Sequence, residues 1–355
     1  MNGWLLAIEG VVALATIVHA IIYATKFARW LKSRRSDGRT ITRSKKDYLI
    51  GVGYSVLCAL LWSLGYVTLS YVSSKADALE INVIVIGSAF FFFLLGWRIT
   101  RFWKNDGANT EINWDRSIEW SWVVVLSNLA SFLLFIYALY YISASQTITL
   151  QKINPLFIAL VAWMLRKEKL SRSALSAVAV AVIGTILILA NDQFGFEGGN
   201  NVTGSLLAIF AGLSFAFFAV GLEEAGEHQA SLTHRLRFMT VIFFLSYAGI
   251  VTVGYLQGRP LTAHGWVLII VLGNGLRVAV VYGFYYAAVR RIGALLVSVI
   301  VALEVPFTIF WDWSLLHRIA GPRLVLGAVA ILLGGITLGW DKSPWVAGKL
   351  NSKPS

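Results

Sequence analysis

Residues 145–165 read SQTITLQKINPLFIALVAWML, and residues 292–313 read IGALLVSVIVALEVPFTIFWDW. About 20 predominantly apolar residues cross a bilayer as a helix, so each stretch has the length of one span. Each also carries an ionisable side chain near its middle, Lys152 in the first and Glu304 in the second, and a proline close behind it, Pro155 and Pro306. Lys152 cannot be moved out of its span, because residues 153–165 alone would rise only about 20 Å against a hydrocarbon core of about 30 Å. A charge at that depth costs about 2.5–3.5 kcal/mol on insertion scales, so it faces a cavity or a partner.

The two stretches stand at matching places in a repeat. At an offset of 151, Pro155 falls on Pro306, Ala177-Val178-Ala179 on Ala328-Val329-Ala330, Gly184 on Gly335 and Ser63 on Ser214. Apolar segments of spanning length recur at 4–25, 48–72, 80–97, 120–142, 145–165, 173–190, 203–221, 237–256, 265–289, 292–313 and 321–340. The first stands alone and the remainder form two sets of five. An odd number of spans makes the second set enter the membrane from the opposite face, which is the inverted repeat used by many transporters. The expected fold is therefore an all-α polytopic membrane protein with two inverted five-helix repeats, 48–190 and 203–340. An additional N-terminal transmembrane helix (1–25), a basic linker (26–47) and a tail (341–355) complete eleven spans.

Composition agrees with this reading. Of 355 residues, 57% are hydrophobic and 14% charged, where a soluble domain carries roughly 25% charged residues. Many of the tryptophans, among them Trp97, Trp103, Trp120, Trp122, Trp311, Trp313 and Trp340, sit near segment ends, where an interfacial belt would place them. The net charge of +12 does not indicate nucleic acid, because the basic residues lie in short loops between apolar runs and not on one face or tail. Those loops set orientation. The basic residues of 26–46, Arg98 to Arg116, Arg166 to Arg172, Arg235/Arg237, Arg290/Arg291 and the tail all fall on one side, which the positive-inside rule makes cytoplasmic. The N-terminus then lies outside and the C-terminus inside. The first segment lacks a basic n-region and reads as a retained helix. Asn201-Val202-Thr203 matches a glycosylation sequon in an outer loop. Cys58 is the single cysteine, so no intrachain disulfide and no cysteine-based metal site can form. Gly-rich phosphate loops, HExxH helices and His metal constellations are absent from the sequence, which argues against an enzyme and against any cofactor.

Several of these residues resemble a known family. Leu61-Trp62-Ser63-Leu64-Gly65-Tyr66, Ser143-Ala144-Ser145 running into Ile153-Asn154-Pro155-Leu156-Phe157, and Leu165-Arg166-Lys167-Glu168-Lys169-Leu170 are similar to the EamA family of the drug/metabolite transporter superfamily. Ala302-Leu303-Glu304-Val305-Pro306 and Leu333-Gly334-Gly335-Ile336 extend the likeness, which covers roughly residues 48 to 340. The resemblance implies a ten-helix core of two inverted repeats, a central cavity, and secondary transport, often export, of amino acids, other metabolites or drugs. The chain departs from the family pattern in its additional first helix. It departs again near Ile319, where no acidic residue matches Glu168 of the first half.

Polar side chains at helical spacing extend the three intramembrane charges, Lys152, Arg277 and Glu304. Thr147, Gln151 and Asn154 share a stripe beside Lys152; Asn274, Arg277 and Tyr285 share another; Glu304, Thr308 and Asp312 follow at i, i+4 and i+8. Asn128 with Ser131, and Trp62 with Tyr66, would complete the walls of a substrate-binding and translocation site. The repeat brings Lys152 and Glu304 toward one axis, so an ion pair between them is expected, and Arg277 could either bind an anionic group or pair with Glu304. Packing and bridging between the halves remain the alternative roles for all of these. Asp312, between Trp311 and Trp313, reads as a rim residue. Glu304 is the candidate proton-coupling residue, since a buried carboxylate can exchange protons near neutral pH.

The functional expectation is a plasma-membrane, multi-pass secondary transporter of a small metabolite. The cargo would be an amino acid or a related organic anion or zwitterion, carried by alternating access and outward. A non-transporting accessory or receptor subunit that docks through the first helix is the alternative. The implied partners are a small-molecule substrate, the lipid bilayer and protons, with a homodimer left open and no nucleic acid.

Overall fold

The computed structural model describes residues 45–73, 75–104, 114–166, 172–189, 201–226, 232–256, 258 and 265–341. The expected first helix, most of the basic linker, Glu168 and the tail after residue 341 lie outside the described residues. The chain divides into two compact units. One, Arg43–Val161 with Leu170–Ser355, carries every contact discussed below; of the other, Met1–Thr42 with Ala162–Lys169, the described residues are 162–166.

Among the described residues there are only helices, in the order α1 (Lys45–Ser73), α2 (Ala78–Lys104), α3 (Trp114–Tyr141), α4 (Ala144–Gln151), α5 (Asn154–Arg166), α6 (Arg172–Leu189), α7 (Asn201–Gly226), α8 (Leu232–Leu256), α9 (Trp266–Ile292), α10 (Ala294–Val301), α11 (Glu304–Leu316) and α12 (Pro322–Asp341). Eight are long and apolar enough to cross a membrane when α4/α5 and α10/α11 are each counted through their break, and Pro322–Thr337 is a shorter apolar helix. The molecule is a multi-pass membrane protein.

Local chemistry sets the helix ends. The Asp77 carboxylate accepts the Leu79 N–H at 2.9 Å at the head of α2, and Ser143 Oγ accepts the Gln146 N–H at the head of α4, each satisfying a donor that a helix start leaves free. Gly293, at φ 84°, closes α9 and opens α10; that left-handed backbone suits glycine. Pro322 begins α12, where its missing N–H costs nothing.

The two stretches 145–165 and 292–313 are not the continuous helices expected. Each is interrupted for two residues, at Lys152–Ile153 and at Ala302–Leu303. The prolines are the physical reason: Pro155 has no N–H to offer the Gln151 carbonyl, and Pro306 none for that of Ala302. Tighter i→i+3 bonds fill in, from Ile153 N–H to Leu150 at 3.3 Å, Leu156 to Ile153 at 3.0 Å, Leu303 to Ile300 at 3.1 Å and Val305 to Ala302 at 3.0 Å.

Packing repeats with the elements. Helix α3 packs along α7 as α9 packs along α1, α4 meets α7 as α10 meets α1, and α2 and α6 each lie against their own counterparts, α8 and α12. Small residues let α6 and α12 close up. A Cβ on Gly184 would lie 2.6 Å from the Gly327 carbonyl oxygen, and one on Gly334 would lie 2.7 Å from that of Ala177. Helices without water between them associate through such close backbone approach.

Candidate functional site

The two helix breaks meet. Lys152 is the C-cap of α4 and Glu304 the first residue of α11, and Lys152 Nζ forms an ion pair with Glu304 Oε1, the side chains being 3% and 0% exposed. Each charge sits at the helix end that favours it, a cation among free carbonyls and a carboxylate among free N–H groups. Breaking both helices therefore gives a dry interior two oriented backbone ends as well as two charges.

Aromatic rings enclose the pair. Lys152 Nζ lies 5.8 Å from the Trp62 ring centroid and 5.9 Å from that of Phe215, near enough for cation–π attraction. Trp62 packs at 5.3 Å from Tyr285, 5.6 Å from Tyr282 and 5.8 Å from Phe215. Trp62 comes from α1, Phe215 from α7 and both tyrosines from α9, so the enclosure draws on both runs of helices. Phe215 had no polar neighbour at helical spacing to mark it in the sequence, and Tyr282 had only Tyr285 and Tyr286.

Measured from break to break, the repeat offset is 150, since Ala144 matches Ala294 and Asn154 matches Glu304 as the residues that open corresponding helices. Asn154 is thus the counterpart of Glu304, and it is 1% exposed. Both polar atoms of its amide lack a hydrogen-bond partner among the described residues, as do Gln151 Oε1, Tyr285 Oη and Glu304 Oε2. A buried polar group left unsatisfied costs about 1–3 kcal/mol, and a concentration of them in one place calls for an explanation beyond packing. Behind the break, Gly212 of α7 lies against the Gln151 carbonyl oxygen, 2.7 Å from where a Cβ would stand.

Arg277 does not pair with Glu304, which Lys152 already occupies. Its Nε donates to Asn274 Oδ1 at 3.0 Å, its Nη1 donates to the Leu61 carbonyl at 3.3 Å, and its guanidinium lies 5.9 Å from the Tyr66 ring centroid. Asn274 Nδ2 is held by Thr68 Oγ1 at 3.1 Å and the Ile270 carbonyl at 3.0 Å, which leaves its oxygen turned to the arginine. The guanidinium fills the place a Cβ on Gly65 would take. Thr308 and Thr147 return their hydroxyls to their own helix turns, at the Glu304 and Ser143 carbonyls. Asn128 Nδ2 donates to Ser246 Oγ at 3.1 Å and Ser131 Oγ to the Ala211 carbonyl at 3.2 Å. Those two tie α3 to α8 and to α7, and no described hydrogen bond joins them to the ion pair.

Asp312 is not at a rim. It is 2% exposed, and its Oδ2 accepts both the Ser145 N–H, at 3.0 Å, and the Ser145 hydroxyl. The flanking tryptophans suggested an interface, but α11 turns this side chain inward onto the positive end of α4. Arg318 adds a backbone N–H to the Asp312 carbonyl at 3.1 Å and donates from Nη1 to Ser70 Oγ at 3.1 Å. Asp312→Asn replaces a charge-assisted pair with a neutral one and should lower unfolding free energy by about 1–3 kcal/mol; denaturation in mixed micelles reads it, and no change would mean the contact is not formed. Among the described residues no group of three or more His, Cys, Asp or Glu could hold a metal ion.

Two runs of helices in the same order, each with one proline-broken helix, and an ion pair joining the two breaks define a class of multi-pass, all-helical membrane proteins built from two repeats. The chain belongs to the EamA-like transporter family, whose model matches residues 49–190 and 202–340. A curated relative from Clostridium kluyveri, described as an uncharacterized transporter, is 22% identical over 206 residues, 56% of this chain and 65% of that protein. The match thus spans just under two thirds of the relative. One chain known from a crystal structure resembles this one with a TM-score of 0.57 at 13% identity, covering 86% of this chain and 99% of that one; the likeness is of fold alone.

Proposed function

We propose that the protein is a secondary active transporter of the plasma membrane that exports a small metabolite by alternating access. The cargo is an amino acid or a related organic anion or zwitterion. The observation that carries this reading is the Lys152–Glu304 pair, buried between helices of both runs, ringed by aromatics and bordered by unpartnered polar atoms. A site shared by two repeats can be closed from either side by rocking one repeat against the other. The exchange of packing partners between the runs supports inverted five-helix repeats, which with the expected first helix make eleven spans. The basic loops support an N-terminus outside and a C-terminus in the cytoplasm.

The experiment is transport in proteoliposomes with a panel of labelled amino acids and small organic acids, with and without a pH gradient. At least one probe should be driven by the gradient in the wild type. Glu304→Gln removes the titratable group, so gradient-driven accumulation should vanish while exchange of labelled for unlabelled substrate persists. Gradient dependence unchanged in Glu304→Gln would remove Glu304 from proton coupling, and a wild type that moves no probe would count against transport itself.

A further inference from the structure

From the charges in this site we infer that Arg277 is an anion receptor, and that it makes the preferred substrate an organic carboxylate with one net negative charge rather than a zwitterion. The inference rests on the transport reading above and narrows it.

Charge accounting supplies the first step. Lys152 and Glu304 neutralise each other, and Asp312, hydrogen-bonded by Ser145, has Arg318 near it as its cation. That leaves Arg277, whose described partners, Asn274 Oδ1, the Leu61 carbonyl and the Tyr66 ring, are all neutral. A guanidinium has five N–H donors in a planar fork; the described bonds use one on Nε and one on Nη1. An intramembrane cation with no counter-charge among its described partners is expensive, and a ligand that brings the missing charge relieves that cost.

Geometry supplies the second. Gly65 leaves the space in which the guanidinium lies across α1, and the clamp of Asn274 by Thr68 and Ile270 fixes its oxygen on Nε. The fork is held in place before any ligand arrives, which lowers the cost of binding. Arg277 is only half-buried, unlike the ion pair. The same turns of α1 that present Leu61 and Tyr66 to Arg277 present Trp62 to Lys152. A carboxylate on Arg277 would therefore place its apolar body against Tyr66 and the Trp62 enclosure. A planar fork also suits phosphate, but a phosphate monoester brings nearly two charges where one is needed.

The test is thermal stabilisation of the purified full-length protein by four probes with one body: 3-phenylpropionate, phenylalanine, phenethylamine and phenyl phosphate. Half-maximal stabilisation should need at least tenfold less 3-phenylpropionate than any of the others. Arg277→Gln should erase that preference, and Arg277→Lys, which keeps the charge without the fork, should weaken it several-fold. Gel filtration and circular dichroism establish that both variants fold. Equal response to phenylalanine, a preference that survives Arg277→Gln, tightest response to phenyl phosphate, or no response to the carboxylate would each overturn the assignment. Phenylalanine binding that depends on Lys152 and Glu304 but not on Arg277 would overturn it while leaving the transport reading intact, which is decided separately in proteoliposomes.

Discussion

Lys152→Ala should cost about 3–5 kcal/mol of unfolding free energy, because it leaves Glu304 buried without its counter-charge. Transport should be lost with it. The double variant Lys152→Met/Glu304→Met separates the two effects. Replacing a buried ion pair with apolar side chains of similar size is often neutral or stabilising by about 1–4 kcal/mol, so the double variant should unfold like the wild type or later. It should still fail to transport, since both charges of the pair and the proton site are gone. Denaturation in mixed micelles and transport in proteoliposomes read the two quantities independently. A double variant that transports normally would reduce the pair to a structural bridge between the halves.

The second large effect is at Gly212. A Cβ there would stand 2.7 Å from the Gln151 carbonyl oxygen and 3.3 Å from its carbonyl carbon and Cα. All three are backbone atoms at the break of the α4/α5 helix, so no side chain can swing aside. Gly212→Ala should cost about 1–3 kcal/mol through overpacking, and Gly212→Val more, with transport reduced because Lys152 adjoins the displaced residue. Gly283 is the control, since nothing lies within 4 Å of a Cβ at that position. There alanine should be neutral or stabilise α9 by about 0.5–1 kcal/mol. Equal effects at 212 and 283 would show that the close approach does not matter.

The eight described helices long and apolar enough to cross a membrane were legible because lipid imposes length and apolarity on each of them. The contact of Lys152 with Glu304 was legible because charge inside a membrane must find a partner, and the repeat brought the two near one axis. The breaks were not, because a two-residue turn hardly alters the hydropathy of a 20-residue window. Pro155 and Pro306 marked the repeat, and only the structure shows what they do to the backbone. Asp312 was misplaced for a related reason. Trp311 and Trp313 beside it pointed to the interface, while the partner that holds it inside, Ser145, is 167 positions away. Phe215 and Tyr282 were invisible because aromatic residues are common in any membrane span, and pairing across helices is what sets these two apart. The same holds for Gly65, whose role appears only once Arg277 of another helix is seen lying against it.

Sided accessibility at Asn154 tests alternating access at this site most directly. Cys58 is the only cysteine, so Asn154→Cys on a Cys58→Ala background carries a single thiol at the counterpart of Glu304. Membrane-impermeant maleimide is applied to sealed vesicles of each orientation. Alternating access predicts labelling from both sides, slower at each when substrate is present on the opposite face. Labelling from one side only, or from neither under transport conditions, would contradict it.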